Sequence, residues 1–130
     1  MCSIDGHLKL SHYGIEIYAA IDAYSRYILW IYIGGSATTA MSVAKMYLTV
    51  LDIMKVQPQY LRSDRGSETG LIMNAHWQLH RVRQPDIQPD DTIMFGTSLA
   101  NIRIESWWAQ LSKGQTQKWR VSIYFLHIYC

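Results

Sequence analysis

The fold is decided by three segments near the start of the chain: IDGHLKL at residues 4–10, IEIYAAIDAY at residues 15–24 and YILWIYI at residues 27–33. The first segment alternates apolar and polar residues, and the other two are rich in β-branched and aromatic residues. Both patterns are typical of β-strands. Because turn residues separate the segments, the sequence predicts a three-stranded antiparallel meander.

Helices and strands alternate after the meander. Apolar residues recur at helical spacing from 40 to 54, with Ser36 or Thr38 as the expected N-cap, and Pro58 prevents the helix from continuing. Two further strands are predicted at residues 59–63 and 92–96, and two further helices at residues 70–83 and 98–112. The order βββ-α-β-α-β-α predicts an α/β fold with a sheet of mixed direction.

The composition indicates one globular domain that needs no cross-links. The chain has 130 residues, of which 49% are hydrophobic, so it can bury a sizeable core. Its net charge of +2 is too small to indicate nucleic-acid binding unless the charge is clustered. No apolar run reaches the ~20 residues that span a bilayer, and polar residues interrupt any signal peptide. Cys2 and Cys130 are expected as free thiols, although a disulfide between them is an open alternative.

Three acidic residues occupy informative positions. Asp5 lies in the first strand, Asp64 ends the fourth strand before a Gly turn, and Glu105 lies in the last helix. In open α/β sheets, ligands gather beyond the carboxyl ends of strands. Carboxylates are ligands that Mg²⁺ prefers, and two such ions roughly 4 Å apart stabilise an in-line phosphoryl displacement. Position alone also allows an ordinary turn-forming Asp and a solvated helical Glu.

The last helix is predicted to pack through one stripe and to present a second beside it. The packing stripe has the spacing i, i+3, i+4, i+7 and comprises Ile104, Trp107, Trp108 and Leu111. The adjacent stripe of small and polar residues comprises Asn101, Glu105, Ala109 and Ser112. This arrangement can carry the Glu105 carboxylate to the rim of the sheet.

Several motifs in order resemble a known family. They are IDGH at residues 4–7, IDAYSR at 21–26, RSDRG at 62–66 followed by Glu68, GTSLAN at 96–101 and RIESWW at 103–108. Together they resemble the integrase core domain of retroviruses and related transposable elements, most closely the eukaryotic transposon-derived branch. The resemblance covers roughly residues 3–120. It implies an RNase H-like fold: a mixed five-stranded sheet, its first three strands antiparallel, flanked by helices. Residues 1–120 would form the core domain and residues 121–130 a divergent tail.

The resemblance also implies a catalytic site. Asp5, Asp64 and Glu105 would be the metal-binding triad (the DDE motif) and would hold two Mg²⁺ or Mn²⁺ ions for attack of water or a 3′-hydroxyl on a DNA phosphodiester. The triad residues are separated by 59 and 41 residues. The second separation is slightly longer than usual in retroviruses, which we assign to the loop around Pro85. Asp22 is a rival for the first position, but it lies in the second strand and is interpreted as structural.

DNA contact is predicted from a locally basic segment. Residues 101–120 contain four basic residues against Glu105, which would neutralise phosphates without sequence preference. The candidate DNA-binding residues are Asn101, Arg103, Lys113, Lys118 and Arg120. A solvated helix face is an equal alternative.

His76 and His80 have a spacing that can bind zinc, but no third ligand is evident, and two ordinary histidines are the simpler interpretation.

Two functions of different class remain open at this stage. One is a metal-dependent polynucleotidyl transferase that acts on DNA in the nucleus, with a homo-oligomer as an optional assembly, and with no membrane association and no small-molecule cofactor. The other is an inactive or domesticated transposon-derived fragment that binds nucleic acid or protein. The complete triad favours the first. Both ends of the chain depart from the family pattern, which favours the second.

Overall fold

The computed structural model describes residues 1–96, 102–116 and 118. Its centre is one five-stranded sheet in the order β3-β2-β1-β4-β5. Pairing is antiparallel between β1 and β2 and between β2 and β3, and parallel between β1 and β4 and between β4 and β5. The predicted mixed sheet that opens with an antiparallel meander is therefore confirmed. The strands are β1 (Cys2–His7), β2 (Glu16–Asp22), β3 (Ile28–Gly34), β4 (Leu61–Ser63) and β5 (Ile93–Phe95).

Helices cover the sheet and enclose two apolar clusters. The helices are α1 (Ala40–Met54), α2 (Thr69–Arg81) and α3 (Ile102–Leu111), the last followed by a π-helical turn, Ser112–Thr116. One cluster joins the sheet to α1 and α2 and includes Ile4, Tyr47 and Ile72. The other joins the sheet to α3 and includes Ile21 and Trp108. None of the helices in the described ranges is long and apolar enough to cross a membrane.

The first strand is shifted relative to the prediction. It runs from Cys2 to His7, whereas alternation had suggested residues 4–10. The backbone carbonyls of Leu8 and Leu10 accept hydrogen bonds from Ser11 and Tyr13 within a short 3₁₀ turn. Those carbonyls are therefore unavailable to a sheet partner, and the strand ends before them.

The N-cap of α1 is also different from the predicted one. Thr39 has extended backbone angles, and its hydroxyl accepts a hydrogen bond from the amide of Ser42. Thr38, one of the two predicted caps, instead donates its hydroxyl to Glu16 at 2.7 Å. The side chain of Ser36, the other predicted cap, is exposed. The helix ends at Met54, and the next residue, Lys55, caps it with a left-handed backbone (φ 57°).

The cap assignment is testable by stability. Thr39→Ala should lower the free energy of unfolding by about 1 kcal/mol, because an amide of the first helical turn loses its partner. Ser36→Ala is the matched control and should change it by less than about 0.5 kcal/mol, as is usual for a surface site. Urea denaturation of both variants measures the difference. Equal losses in the two variants would contradict the cap at Thr39.

Candidate active site

Asp5 and Asp64 lie on neighbouring parallel strands. The register of β1 and β4 pairs Cys2 with Leu61 and Ser3 with Arg62. When this register is continued by two residues, Asp5 comes beside Asp64, which directly follows β4. Two acidic residues from distant parts of the sequence are therefore neighbours: Asp64 lies just past the carboxyl end of β4, and Asp5 lies two residues before the end of β1. Ligands of α/β sheets bind beyond the carboxyl ends of the strands.

The third acidic residue is held near them by the docking of α3. The indole N–H of Trp108 donates a hydrogen bond to Asp5 Oδ2 at 2.9 Å. The same indole stacks on His7, with ring centroids 4.7 Å apart. Glu105 is exposed and lies three residues before Trp108, about one helical turn away. The contact between Trp108 and β1 therefore determines where the Glu105 carboxylate lies relative to Asp5.

The electrostatics show that Asp5 lies within the influence of the other two acidic side chains. The pKa of Asp5 is raised to about 6, chiefly by burial, against the lowering effect of the Trp108 hydrogen bond. The negative charges of Glu105 and Asp64 raise this pKa further. Such a raised pKa is expected of a carboxyl group that shares one region with other carboxylates.

The carboxylates share a region but are not gathered around one point. In the part of the chain that the structure describes, no group of three or more His, Cys, Asp or Glu side chains is arranged to hold a metal ion. Asp64 Oδ1 is turned toward its own loop, where it accepts hydrogen bonds from the Gly66 amide at 3.2 Å and the Ser63 hydroxyl at 3.4 Å. A metal ion would therefore require these side chains to rotate toward one another.

Glu68 is a fourth acidic residue at this rim, and the sequence analysis gave it no role. Its carboxylate folds back over Gly66, where both oxygens lie 2.5 Å from the position that a Cβ would occupy. Only glycine leaves room for this conformation. Thr69 ties the same loop to the start of α2, since its hydroxyl donates to the Gly66 carbonyl at 2.7 Å. The loop that carries Asp64 is thus closely linked to Glu68.

Asp22, the rival for the first position of the triad, is engaged in a turn. Its Oδ2 accepts hydrogen bonds from the amide and the hydroxyl of Ser25, and its Oδ1 pairs with the amino terminus at 3.5 Å. The Ser25 hydrogen bonds lower the pKa of Asp22. This carboxylate therefore stabilises the connection between β2 and β3.

The candidate DNA-binding residues are only partly placed. Arg103, Lys113 and Lys118 are exposed, whereas Asn101 and Arg120 lie outside the described residues. Arg103 lines a cavity of about 330 Å³ together with Arg26 and Trp107. Sequence analysis did not place Arg26 beside Arg103, because their proximity depends on how the turn between β2 and β3 packs against α3.

Both histidines of α2 make contacts within the fold. His76 is fully buried, and its Nδ1 lies 2.5 Å from the Tyr47 hydroxyl. His80 Nε2 lies 3.1 Å from the Pro58 carbonyl oxygen. Burial lowers the pKa of His76 to about 4.

Cys2 is a buried free thiol whose pKa is raised to about 12 by burial, and Cys130 lies outside the described residues.

The raised pKa of Asp5 predicts a stability change that depends on pH. The folded-state pKa of about 6 exceeds the ordinary 3.8. At a pH above both values Asp5 is ionised and destabilises the fold, whereas at a pH below both values it is neutral and has no such effect. Asp5→Asn should therefore raise the free energy of unfolding at pH 7.5 in EDTA. The gain should shrink as the pH falls through 6 and vanish near pH 4.

Chemical denaturation at several pH values measures this effect. Asp22→Asn is the matched control with the opposite sign, because its depressed pKa means that the ionised form stabilises the fold at neutral pH. A gain for Asp5→Asn that does not change with pH would contradict the raised pKa.

A family model described as integrase core domain matches residues 1–128. No protein with curated annotation gives a significant match. The family match leaves the eukaryotic transposon-derived branch unconfirmed. With the mixed sheet and its flanking helices, the match confirms the RNase H-like architecture. The chain belongs to the integrase core domain family.

Proposed function

We propose that the chain is a divalent-metal-dependent polynucleotidyl transferase of the integrase type, which cuts and joins DNA phosphodiesters. Asp5, Asp64 and Glu105 are its metal-binding catalytic residues. The observation that supports this most is that the charges of Asp64, at the end of β4, and Glu105, in α3, both raise the pKa of Asp5 in β1. Nuclear location is part of the same proposal, as a consequence of acting on DNA.

The donor set fits a hard divalent cation. All three side chains offer carboxylate oxygens, which Mg²⁺ and Mn²⁺ prefer. Their repulsion, together with the burial of Asp5, gives the unliganded site a reason to bind positive charge. When bound, two such ions would lower the pKa of an attacking water or 3′-hydroxyl and stabilise the charge that develops on the phosphate.

The remaining groups orient the site and bind the substrate. Trp108 holds Asp5 through Oδ2, which orients the carboxylate. Arg103, in the same helix as Glu105, and Lys113, in the turn after that helix, are exposed. Both are suited to neutralise phosphates. Asn101 and the basic residues Lys118 and Arg120 complete the proposed DNA-binding set. No side chain is required as a nucleophile.

Substitution of the triad tests the activity. Asp5→Asn, Asp64→Asn and Glu105→Gln should each reduce nicking and strand joining of DNA with Mg²⁺ or Mn²⁺ by on the order of 100-fold or more, because metal stabilisation of the transition state contributes several kcal/mol. Asp22→Asn is the matched control and should retain activity, because its carboxylate supports a turn. Gel assays on labelled duplexes measure the rates.

The outcomes separate the candidate functions. Activity that is equal in the wild type and Asp64→Asn would assign the cleavage to a contaminant. A wild-type protein that binds DNA but cleaves it with neither metal would be a non-catalytic nucleic-acid-binding module. Loss of activity in Asp22→Asn but not in Asp5→Asn would move the first ligand to Asp22.

DNA contact at the cavity between Arg26 and Arg103 is tested by salt dependence. Each arginine that neutralises a phosphate contributes about 0.9 to the slope of log affinity against log salt concentration. Arg26→Gln with Arg103→Gln should therefore reduce that slope by nearly 2. Arg81→Gln, which removes a guanidinium stacked on Trp77 in α2, is the control and should leave the slope unchanged. Fluorescence anisotropy with a labelled oligonucleotide measures it.

A further inference from the structure

Tyr18 lies in β2 directly opposite Gly6, the residue that follows Asp5. Its side chain is almost completely buried, with 1% of its surface exposed. Atoms of its ring come within 3.2 Å of the position that a Cβ on Gly6 would occupy. The absence of a side chain at Gly6 therefore lets the tyrosine ring lie directly against β1, beside the strand position that presents Asp5.

The hydroxyl of Tyr18 is not satisfied. It is buried from solvent, and among the described residues no group makes a hydrogen bond of acceptable geometry with it. The Ser63 hydroxyl is the near neighbour: it interacts with the Tyr18 hydroxyl enough to lower the pKa of Tyr18, but the contact does not have the geometry of a full hydrogen bond. A buried hydroxyl without a partner costs free energy, and native proteins rarely retain one without a reason.

The surroundings of this hydroxyl are acidic. The pKa of Tyr18 is raised by burial first and then by the negative charges of Glu68, Asp5 and Asp64, in that order. Glu68 is half-buried, and its carboxylate is folded back over Gly66 in the loop that begins at Asp64. A tyrosine hydroxyl is a hydrogen-bond donor, and a carboxylate is an acceptor. The negative charge that acts on the Tyr18 hydroxyl thus comes from carboxylates, which can accept a hydrogen bond from it.

We propose that Tyr18 is a positioning residue of this site, whose hydroxyl donates a hydrogen bond to the Glu68 carboxylate when a divalent cation draws the acidic side chains together. The bond would hold the loop of residues 64–68 and, with it, the Asp64 carboxylate. This inference rests on the proposed metal-dependent function and adds Tyr18 and Glu68 to its machinery. The Tyr18 hydroxyl would then form its hydrogen bond with Glu68 only when the metal is bound.

The proposal predicts opposite effects of one substitution on stability and on metal binding. Tyr18→Phe keeps the ring and removes only the hydroxyl, so without metal the variant should unfold at the same temperature as the wild type or a few degrees higher. It should bind Mn²⁺ about 10-fold more weakly, because a hydrogen bond to a charged group is lost in the loaded state. Thermal unfolding in EDTA and titration of the Mn²⁺ electron paramagnetic resonance signal measure the two quantities, and neither requires enzymatic activity.

Tyr47→Phe is the matched control. Tyr47 is equally buried, but its hydroxyl already contacts His76. Its loss should therefore lower the unfolding temperature and leave Mn²⁺ affinity unchanged. Glu68→Ala should weaken Mn²⁺ binding in the wild-type background and add little in the Tyr18→Phe background, because the two groups act through one bond.

The outcomes are decisive in either direction. A lower unfolding temperature of Tyr18→Phe in EDTA, or unchanged Mn²⁺ affinity, overturns the role of Tyr18. If Asp64→Asn abolishes Mn²⁺ binding while Tyr18→Phe binds like the wild type, this inference fails and the proposed function stands. If the wild-type protein binds no Mn²⁺, the proposed function fails and the role of Tyr18 falls with it.

Discussion

The contact of Trp108 with β1 is the interaction on which the site depends. Trp108 is 103 residues from Asp5 along the chain, yet its indole donates to the Asp5 carboxylate and stacks on His7. A hydrogen bond to a charged group contributes about 1.5–3 kcal/mol, and an aromatic pair about 0.5–1.5 kcal/mol beyond its burial. The helix α3 therefore docks on the sheet through the Asp5 carboxylate, and the same docking positions Glu105 relative to Asp5. One contact thus determines both the packing of α3 and the geometry of the candidate site.

The site is maintained at a cost to the stability of the isolated fold. Asp5 is half-buried with its pKa near 6, and the buried hydroxyl of Tyr18, on the neighbouring strand, makes no hydrogen bond of good geometry with any residue that the structure describes. Neither feature stabilises the protein, since an apolar residue or a neutral amide would fit each place with less conflict. Unfavourable local choices of this kind concentrate at functional sites, while the surrounding core supplies the stability. Here that core includes Ile4, Leu61 and Ile72, all fully buried.

Periodicity predicted the elements of the fold, and long-range contacts decided their ends. The alternation in residues 4–10 did not show that the backbone carbonyls of Leu8 and Leu10 would accept hydrogen bonds within a turn. The choice of N-cap failed for a similar reason, because Thr38 is recruited by Glu16, which is 22 residues away. The helical stripe of α3 was better defined, since Ile104 and Trp108 are both buried as predicted. Local pattern identifies a face reliably, whereas a terminus depends on which distant group competes for it.

The sequence suggested the acidic residues of the candidate site but not the contacts that position them, and α3 shows why. Sequence placed Trp108 in the packing stripe, but only the tertiary structure reveals that its indole also serves Asp5. Arg103 and Glu105 are two residues apart and hence about 200° apart around the helix, so one lines the cavity with Arg26 while the other lies toward the carboxylates. A helix is only about 10 Å across, a distance that a few nucleotides of a strand would span. The docking of one tryptophan therefore sets both where a strand would be held and where its phosphate would meet the acidic residues.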